Sequence, residues 1–141
     1  MALEKLAAGL RALQLYAHHA HNNCKGKSFF QDHEFFGEVY AAAEGDYDSV
    51  VERIIGSTGK PVDTLHLLTE AVKLASQCGK EPGDCNVNFL QGVLKLESAI
   101  CTYVDRMCAS EKLPEGTKQL IGNIADKSMS RQYKLKQRLQ G

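Results

Sequence analysis

Apolar residues return every three or four positions along almost the whole chain, and no strand-like alternation lasts more than a few residues. Leu3, Leu6, Leu10, Leu13 and Ala17 open this pattern, and Ala20 and Cys24 continue it. A stripe with that period is one face of an amphipathic helix, so the chain is confined to an all-α fold. Lys25-Gly26-Lys27 breaks the first helix. Ser28 is placed to cap a second, in which Phe29, Phe36 and Tyr40 lead the apolar face, and which is expected to end near Gly56. The breakers between Gly56 and Pro61 form a turn, and Asp63 caps a short helix in TLHLLTEAVKLASQ. After the KEPGD turn, Asn86 or Asn88 starts a long helix with Phe89, Val93, Leu96, Ile100, Val104 and Met107 inward. Pro114 and Gly116 separate it from a last helix whose apolar set is Leu120, Ile124, Met129, Tyr133 and Leu135. Four long helices with a short one between the second and third read as a four-helix bundle with a long crossover, the connectivity of ferritin-like folds.

The 141 residues fit a single domain spanning positions 1–141. No run approaches the roughly 18 apolar residues of a membrane span, and the polar N-terminal stretch lacks the apolar core of a secretory signal. Five cysteines, Cys24, Cys78, Cys85, Cys101 and Cys108, form an odd set without CxxC pairs. They fit free thiols in a reducing compartment, which points to the cytoplasm. Cys101 and Cys108, one heptad apart, read as small buried residues on a helix stripe. Cys78 and Cys85 are spaced too widely for an ordinary zinc knuckle, and only His66 is available to extend the set. Seventeen basic and seventeen acidic residues cancel, so the molecule as a whole exerts no strong pull on nucleic acid. The one basic concentration, Lys127, Arg131, Lys134, Lys136 and Arg138, reads as a solvated face complementing the negative end of the last helix.

The residues with chemistry in them are His21, His33, Asp48 and Glu52. Asp48 and Glu52 are spaced i,i+4 on one helix face, as an acidic clamp requires. Fifteen residues separate His33 from Asp48, which in one helix is about 22 Å. They cannot share an ion within one chain. A second copy packed antiparallel across a two-fold axis would bring its acids opposite the first copy's histidines and create two equivalent sites. His21 and His33 flank the Gly26 break, so an antiparallel helix pair can bring their imidazoles near each other. Imidazole nitrogen with carboxylate oxygen suits iron and is acceptable to zinc or manganese. Single histidines on helices are also common as surface or cap residues, and Asp48, Glu52 and Arg53 fit an ordinary charged face. His18 and His19 are lesser candidates: His18, one turn before His21, can supply an additional nitrogen, against the commoner case of an exposed or supporting histidine; His66 has no clear partner.

Through His21, Asn23, Lys25, Gly26, Phe29, His33, Asp48, Glu52 and Arg53 the chain resembles the Dps proteins, the mini-ferritins named as DNA-binding proteins from starved cells. The Gly59-Lys60-Pro61 turn, the crossover helix and the Gly116-Thr117 helix start are similar too. The resemblance implies a hollow homo-oligomer, a dodecamer, that binds iron(II) between two-fold-related subunits. It implies ferroxidase chemistry, with hydrogen peroxide as the preferred oxidant, and storage of the product as ferric mineral. His21 and His33 of one subunit and Asp48 and Glu52 of its neighbour are the implied ligands.

Two positions depart from the family pattern. An Asp or Glu normally follows the second histidine by one turn, where this chain has Gly37. Glu38 is the substitute ligand if the helix distorts locally; without it the cage retains a degraded site and a structural or weak DNA-binding role. Asn22 replaces the usual Trp after the first histidine, and the chain contains no tryptophan. DNA binding in the family often uses a mobile lysine-rich N-terminal extension, whereas here an amphipathic helix with only Lys5 and Arg11 is expected there. The basic last helix leaves weak, salt-sensitive phosphate contacts as the remaining route. A classical ferritin centre, built on Glu-x-x-His, has no counterpart: Glu34, Glu38, Glu44, Glu52, Glu70 and Glu97 are each followed at the third position by another residue.

Overall fold

The computed structural model describes residues 2–140. It consists of α1 (Ala2–Asn23), α2 (Phe29–Thr58), α3 (Thr64–Ala75), α4 (Cys85–Ser110) and α5 (Glu115–Gln140), with no strand among the described residues. The four long helices form a bundle and α3 is the crossover segment between α2 and α4. Helices α1 and α4 run antiparallel, since Tyr16 meets Phe89 and the space beside Gly9 is bounded by Ile100. Helices α2 and α5 are antiparallel as well. Asp32 pairs with Arg138, Asp46 with Lys127, and Arg53 donates to Thr117, so numbers rise along α2 as they fall along α5.

Local chemistry sets the helix ends, and three of them differ from the sequence expectation. Helix α2 continues through Gly56 and stops at Gly59, whose φ of 70° lets its N–H reach back to the Ile55 carbonyl at 2.8 Å. Glycine inside a helix lowers propensity but does not end it; the left-handed turn does. Ser28 makes no side-chain cap hydrogen bond. The chain enters α2 instead through Gly26, at φ 88°, whose carbonyl accepts from the Phe29 N–H. Helix α4 begins at Cys85, with Asp84 accepting from the Val87 N–H at 3.0 Å, which frees Asn86 for a buried role described below. Asp63 caps α3 as expected, accepting from His66 N–H at 3.0 Å.

The core is one cluster drawn from all five helices. Leu6, Leu10, Leu13, Phe36, Val39, Val50, Leu90, Val93, Ile121, Ile124 and Leu135 are its largest fully buried apolar members, each worth about 1.5–3 kcal/mol against exposure. Met129 and Tyr133, expected inside, are 63% and 65% exposed. The inward row of α5 is Thr117, Ile121, Ile124, Ser128 and Leu135; Met129 lies one position past Ser128, a turn of about 100° toward solvent. Cys101 is half-buried and Cys108 exposed, so neither is the core residue the heptad spacing suggested. Cys108 follows inward-facing Met107 by one residue and is turned out for the same reason.

The polar last helix is fastened by charge. Three acids stand inside the bundle: Asp32 (2% exposed), Asp46 (6%) and Glu97 (0%). Each meets a base from α5. Arg138 grips Asp32 through two guanidinium nitrogens, Nε and Nη2, at 3.2 and 3.1 Å. Arg131 grips Glu97 the same way, and Ser128 donates to Glu97 at 2.8 Å. Lys127 reaches Asp46 at 2.6 Å. Of the five basic residues expected on a solvated face, three are therefore tied to acids of other helices. Burying two charges gains little net energy but penalises any other register, since a shift would strand a charge without a partner.

Candidate metal centre

Helix α1 ends and α2 begins across the short turn at Gly26, and this hairpin sets His21 against His33. Their rings stack at 3.7 Å between centroids with 21° between planes. The backbone bonding is reciprocal. His21 Nδ1 lies 2.7 Å from the His33 carbonyl oxygen, and His33 Nδ1 lies 2.8 Å from the His21 carbonyl oxygen. A carbonyl only accepts, so both Nδ1 atoms carry the proton. In the neutral rings each Nε2 then holds a bare lone pair, the form in which imidazole binds a metal.

The surroundings reinforce that arrangement. Phe29 stacks on the outer face of His33 at 4.8 Å. Tyr40 packs edge-on to His21 at 5.3 Å and carries His18 stacked at 4.3 Å on its own ring. His18 is thus held by an aromatic contact and is exposed, and its ring centre is 6.3 Å from that of His21. The buried Cys24 thiol lies 3.7 Å from the same His21 carbonyl that His33 uses. Burial, first, and the nearby Asp32 carboxylate push the Cys24 thiol pKa up, keeping it protonated and a donor.

Gly37 faces His21 directly. A Cβ built there would lie 3.3 Å from both Cε1 and Nδ1 of the ring, so the imidazole rests on bare backbone. Helix α2 runs without interruption through this point, and the distortion that would redirect Glu38 does not occur; Glu38 is exposed. Asp48 and Glu52 are exposed one turn apart further along α2. They share a helix with His33 and lie about 22 Å and about 28 Å from it along the axis. Among the described residues no three His, Cys, Asp or Glu side chains come together as a metal set. The Cys78, Cys85 and His66 zinc alternative therefore does not form. His66 instead lines a cleft of about 530 Å³ between α1, α3 and α4.

Sequence reasoning missed Asp32, Asn86 and Arg138, which brace the histidine hairpin from behind. Asn86, 4% exposed, accepts from the Lys25 N–H at 3.0 Å. Its amide donates to the Lys25 carbonyl at 2.8 Å and to Asp32 Oδ2 at 3.0 Å. A signal was present. Asp32 falls on the inward row Phe29, Asp32, Phe36, Val39, Ala43, where a charge must have a partner elsewhere.

No family model matches the chain. In sequence it is 33% identical over 79 residues to a DNA protection during starvation protein of Brevibacillus brevis. It is 30% identical over 83 residues to general stress protein 20U of Bacillus subtilis, and 38% identical over 93 residues to DNA protection during starvation protein 2 of Bacillus anthracis. These stretches cover 56%, 59% and 66% of the chain and 53%, 57% and 62% of those relatives, so the match spans somewhat more than half of each. In fold, a variant of Mycobacterium smegmatis Dps1 matches 98% of the chain and 92% of its own length with a TM-score of 0.81 at 18% identity. A variant of Listeria innocua Dps covers 98% and 93% with a TM-score of 0.79 at 17% identity. The Dps of Microbacterium arborescens in its high iron form covers 99% and 91% at 0.76 and 19%. The bundle is of the ferritin-like type.

Proposed function

The chain belongs to the Dps family, and from that premise we propose that it oxidises iron(II) at sites shared between two copies and stores the ferric product inside a hollow homo-oligomer. The observation that carries this reading is the reciprocal pair of Nδ1 hydrogen bonds, which leaves both Nε2 lone pairs of His21 and His33 free. Iron(II) is the substrate. His21 and His33 bind it from one subunit, and Asp48 and Glu52 supply carboxylate oxygen from the neighbour. Glu38 adds a donor only by swinging its exposed side chain back past Gly37. Hydrogen peroxide is the oxidant in this reading: two iron(II) ions give up one electron each, the O–O bond breaks, and both oxygens leave as water or ferric oxyhydroxide. Pairing the electrons avoids release of a hydroxyl radical. Zinc and manganese suit the same donors and would compete for them.

Apolar side chains on the outside support assembly of copies, with a dodecamer as the proposed cage. Phe30 and Ile55 on α2 and Leu65, Val72 and Leu74 on α3 are exposed, more than an isolated subunit needs. No helix of the described residues is long and apolar enough to cross a membrane. All five cysteines are free, in keeping with the cytoplasmic location we propose.

Sedimentation of the purified protein after adding iron(II) and peroxide tests the reading. Ferric absorbance that travels with a particle of about a dozen subunits is the expected result. A cage that forms while iron precipitates outside it would favour the second reading, a Dps-like shell with a degraded site. Gly37, which offers no carboxylate beside His21, is the observation behind that alternative. DNA binding in either reading is weak, because Lys127, Arg131 and Arg138 are engaged with acids and leave only Lys134 and Lys136 of the basic group exposed and unpaired among the described residues.

A further inference from the structure

We propose that Asn86 and Asp32 are positioning residues for the two imidazoles: by clamping the turn between α1 and α2 they fix the histidine tautomers that leave Nε2 free. The proposal rests on the reading of His21 and His33 as metal donors. Each ring's proton is placed by the backbone carbonyl of the other residue, at 2.7 and 2.8 Å. That reciprocity exists only at one relative height of the end of α1 and the start of α2. The turn between them has few bonds of its own. It contains Gly26 at a positive φ, and its backbone hydrogen bonds are those from Cys24 N–H to the Ala20 carbonyl, from Phe29 N–H to the Gly26 carbonyl and from Asp32 N–H to the Ser28 carbonyl.

What holds the height comes from a third helix. Asn86, in the first turn of α4, binds Lys25 in the turn through both N–H and carbonyl, and binds the Asp32 carboxylate through the same amide. Asp32 immediately precedes His33. Its second anchor is Arg138 near the end of α5, so its carboxylate receives three N–H donors between 3.0 and 3.2 Å. One buried amide thus ties Lys25, four residues after His21, to Asp32, one residue before His33. If the clamp is lost, the turn relaxes, the carbonyls leave the ring nitrogens, and each neutral imidazole redistributes its proton between Nδ1 and Nε2. A protonated Nε2 cannot bind a metal. Partners that orient a ligating histidine are generally worth 10–100-fold in metal affinity.

The test is solid-state NMR of protein labelled with nitrogen-15 in histidine, without metal, at a pH of about 8, where imidazole is neutral. The wild type is expected to show His21 and His33 with protonated Nδ1 and bare Nε2. Asn86→Ala is expected to convert both to a mixture of tautomers and to weaken cobalt(II) binding, measured with the metal alone, by about 10–100-fold. Thr117→Val serves as the control, removing the Arg53 hydrogen bond at the far end of α2 and α5. It should leave both signals and the cobalt affinity unchanged. If Asn86→Ala does not fold, Asn86→Ser, which retains one short polar arm, is measured in its place with the same expectation. Ring signals in the Asn86 variant that match the wild type, or a change no larger than that of Thr117→Val, would overturn the proposal. The ring signals require no iron, so this outcome is separable from a failure of iron oxidation.

Discussion

Tyr16 lies so close across Gly92 that a Cβ at that glycine would stand 2.5 Å from its ring. A Cβ at Gly79 would meet the same side chain from the other direction, 2.5 Å from the hydroxyl, and Gly79 also has a positive φ of 73°. The phenol occupies a slot between two glycines and donates to the Asn88 carbonyl at 3.4 Å. Gly92→Ala is therefore expected to destabilise the protein by about 1–3 kcal/mol through overpacking. A denaturant midpoint within error of the wild type would refute the slot.

The same burial raises the Tyr16 pKa to about 12, with nearby Cys78 adding to it. An unfolded tyrosine ionises near 10. Above that pH the unfolded chain releases a proton the folded chain keeps, so stability falls as pH rises from about 10 to about 12. The full loss amounts to roughly 2–3 kcal/mol. Tyr16→Phe should flatten the alkaline limb of a stability curve; an unchanged limb would assign it to other groups.

Complementation tests where the carboxylates come from. If each site takes histidines from one subunit and acids from the other, His33→Ala and Glu52→Ala cages should each lose iron oxidation. Cages co-assembled from equal amounts of both should recover it at about one quarter of the sites, because only one of four subunit pairings joins an intact histidine pair to an intact acid pair. No recovery in proven mixed cages would place both groups in the same subunit's site.

At Gly37 the crowding with His21 sets the direction of effect. Gly37→Ala adds no ligand and pushes a methyl group against the ring at 3.3 Å. It is expected to lower cobalt(II) affinity by about tenfold, the lower end for disturbing a ligand's orientation. Unchanged affinity would mean that the ring has room to yield.

For the inner ion pair, Arg131→Met should cost about 3–5 kcal/mol by leaving the Glu97 carboxylate buried without its main partner. Combining it with Glu97→Leu should restore much of the loss. A double variant as unstable as the single one would show that the pair contributes net attraction beyond satisfying itself.

Helix count, the crossover position and the meeting of His21 with His33 were legible in the sequence because each depends on local period and on one glycine break. Four features were not. Asn86 reads as a helix starter, and only the Asp84 cap two residues earlier turns it inward. Lys127, Arg131 and Arg138 look solvated on their own helix, since their partners lie 81, 34 and 106 residues away. Met129 and Tyr133 fit a loose apolar pattern, and a single polar residue, Ser128, took the inward position because it serves Glu97. The tautomers of His21 and His33 follow from backbone carbonyls, which no side-chain spacing reveals.

The mutual grip of the two histidines also bears on speed. Neither imidazole can rotate away without giving up its own hydrogen bond and stripping the other ring of its neighbour, so no conformational search precedes capture of an ion. The half-site is ready before the ion arrives. Uptake from dilute iron should then proceed at the pace of diffusional encounter and water loss from the ion, with little dependence on solvent viscosity beyond that of the encounter itself.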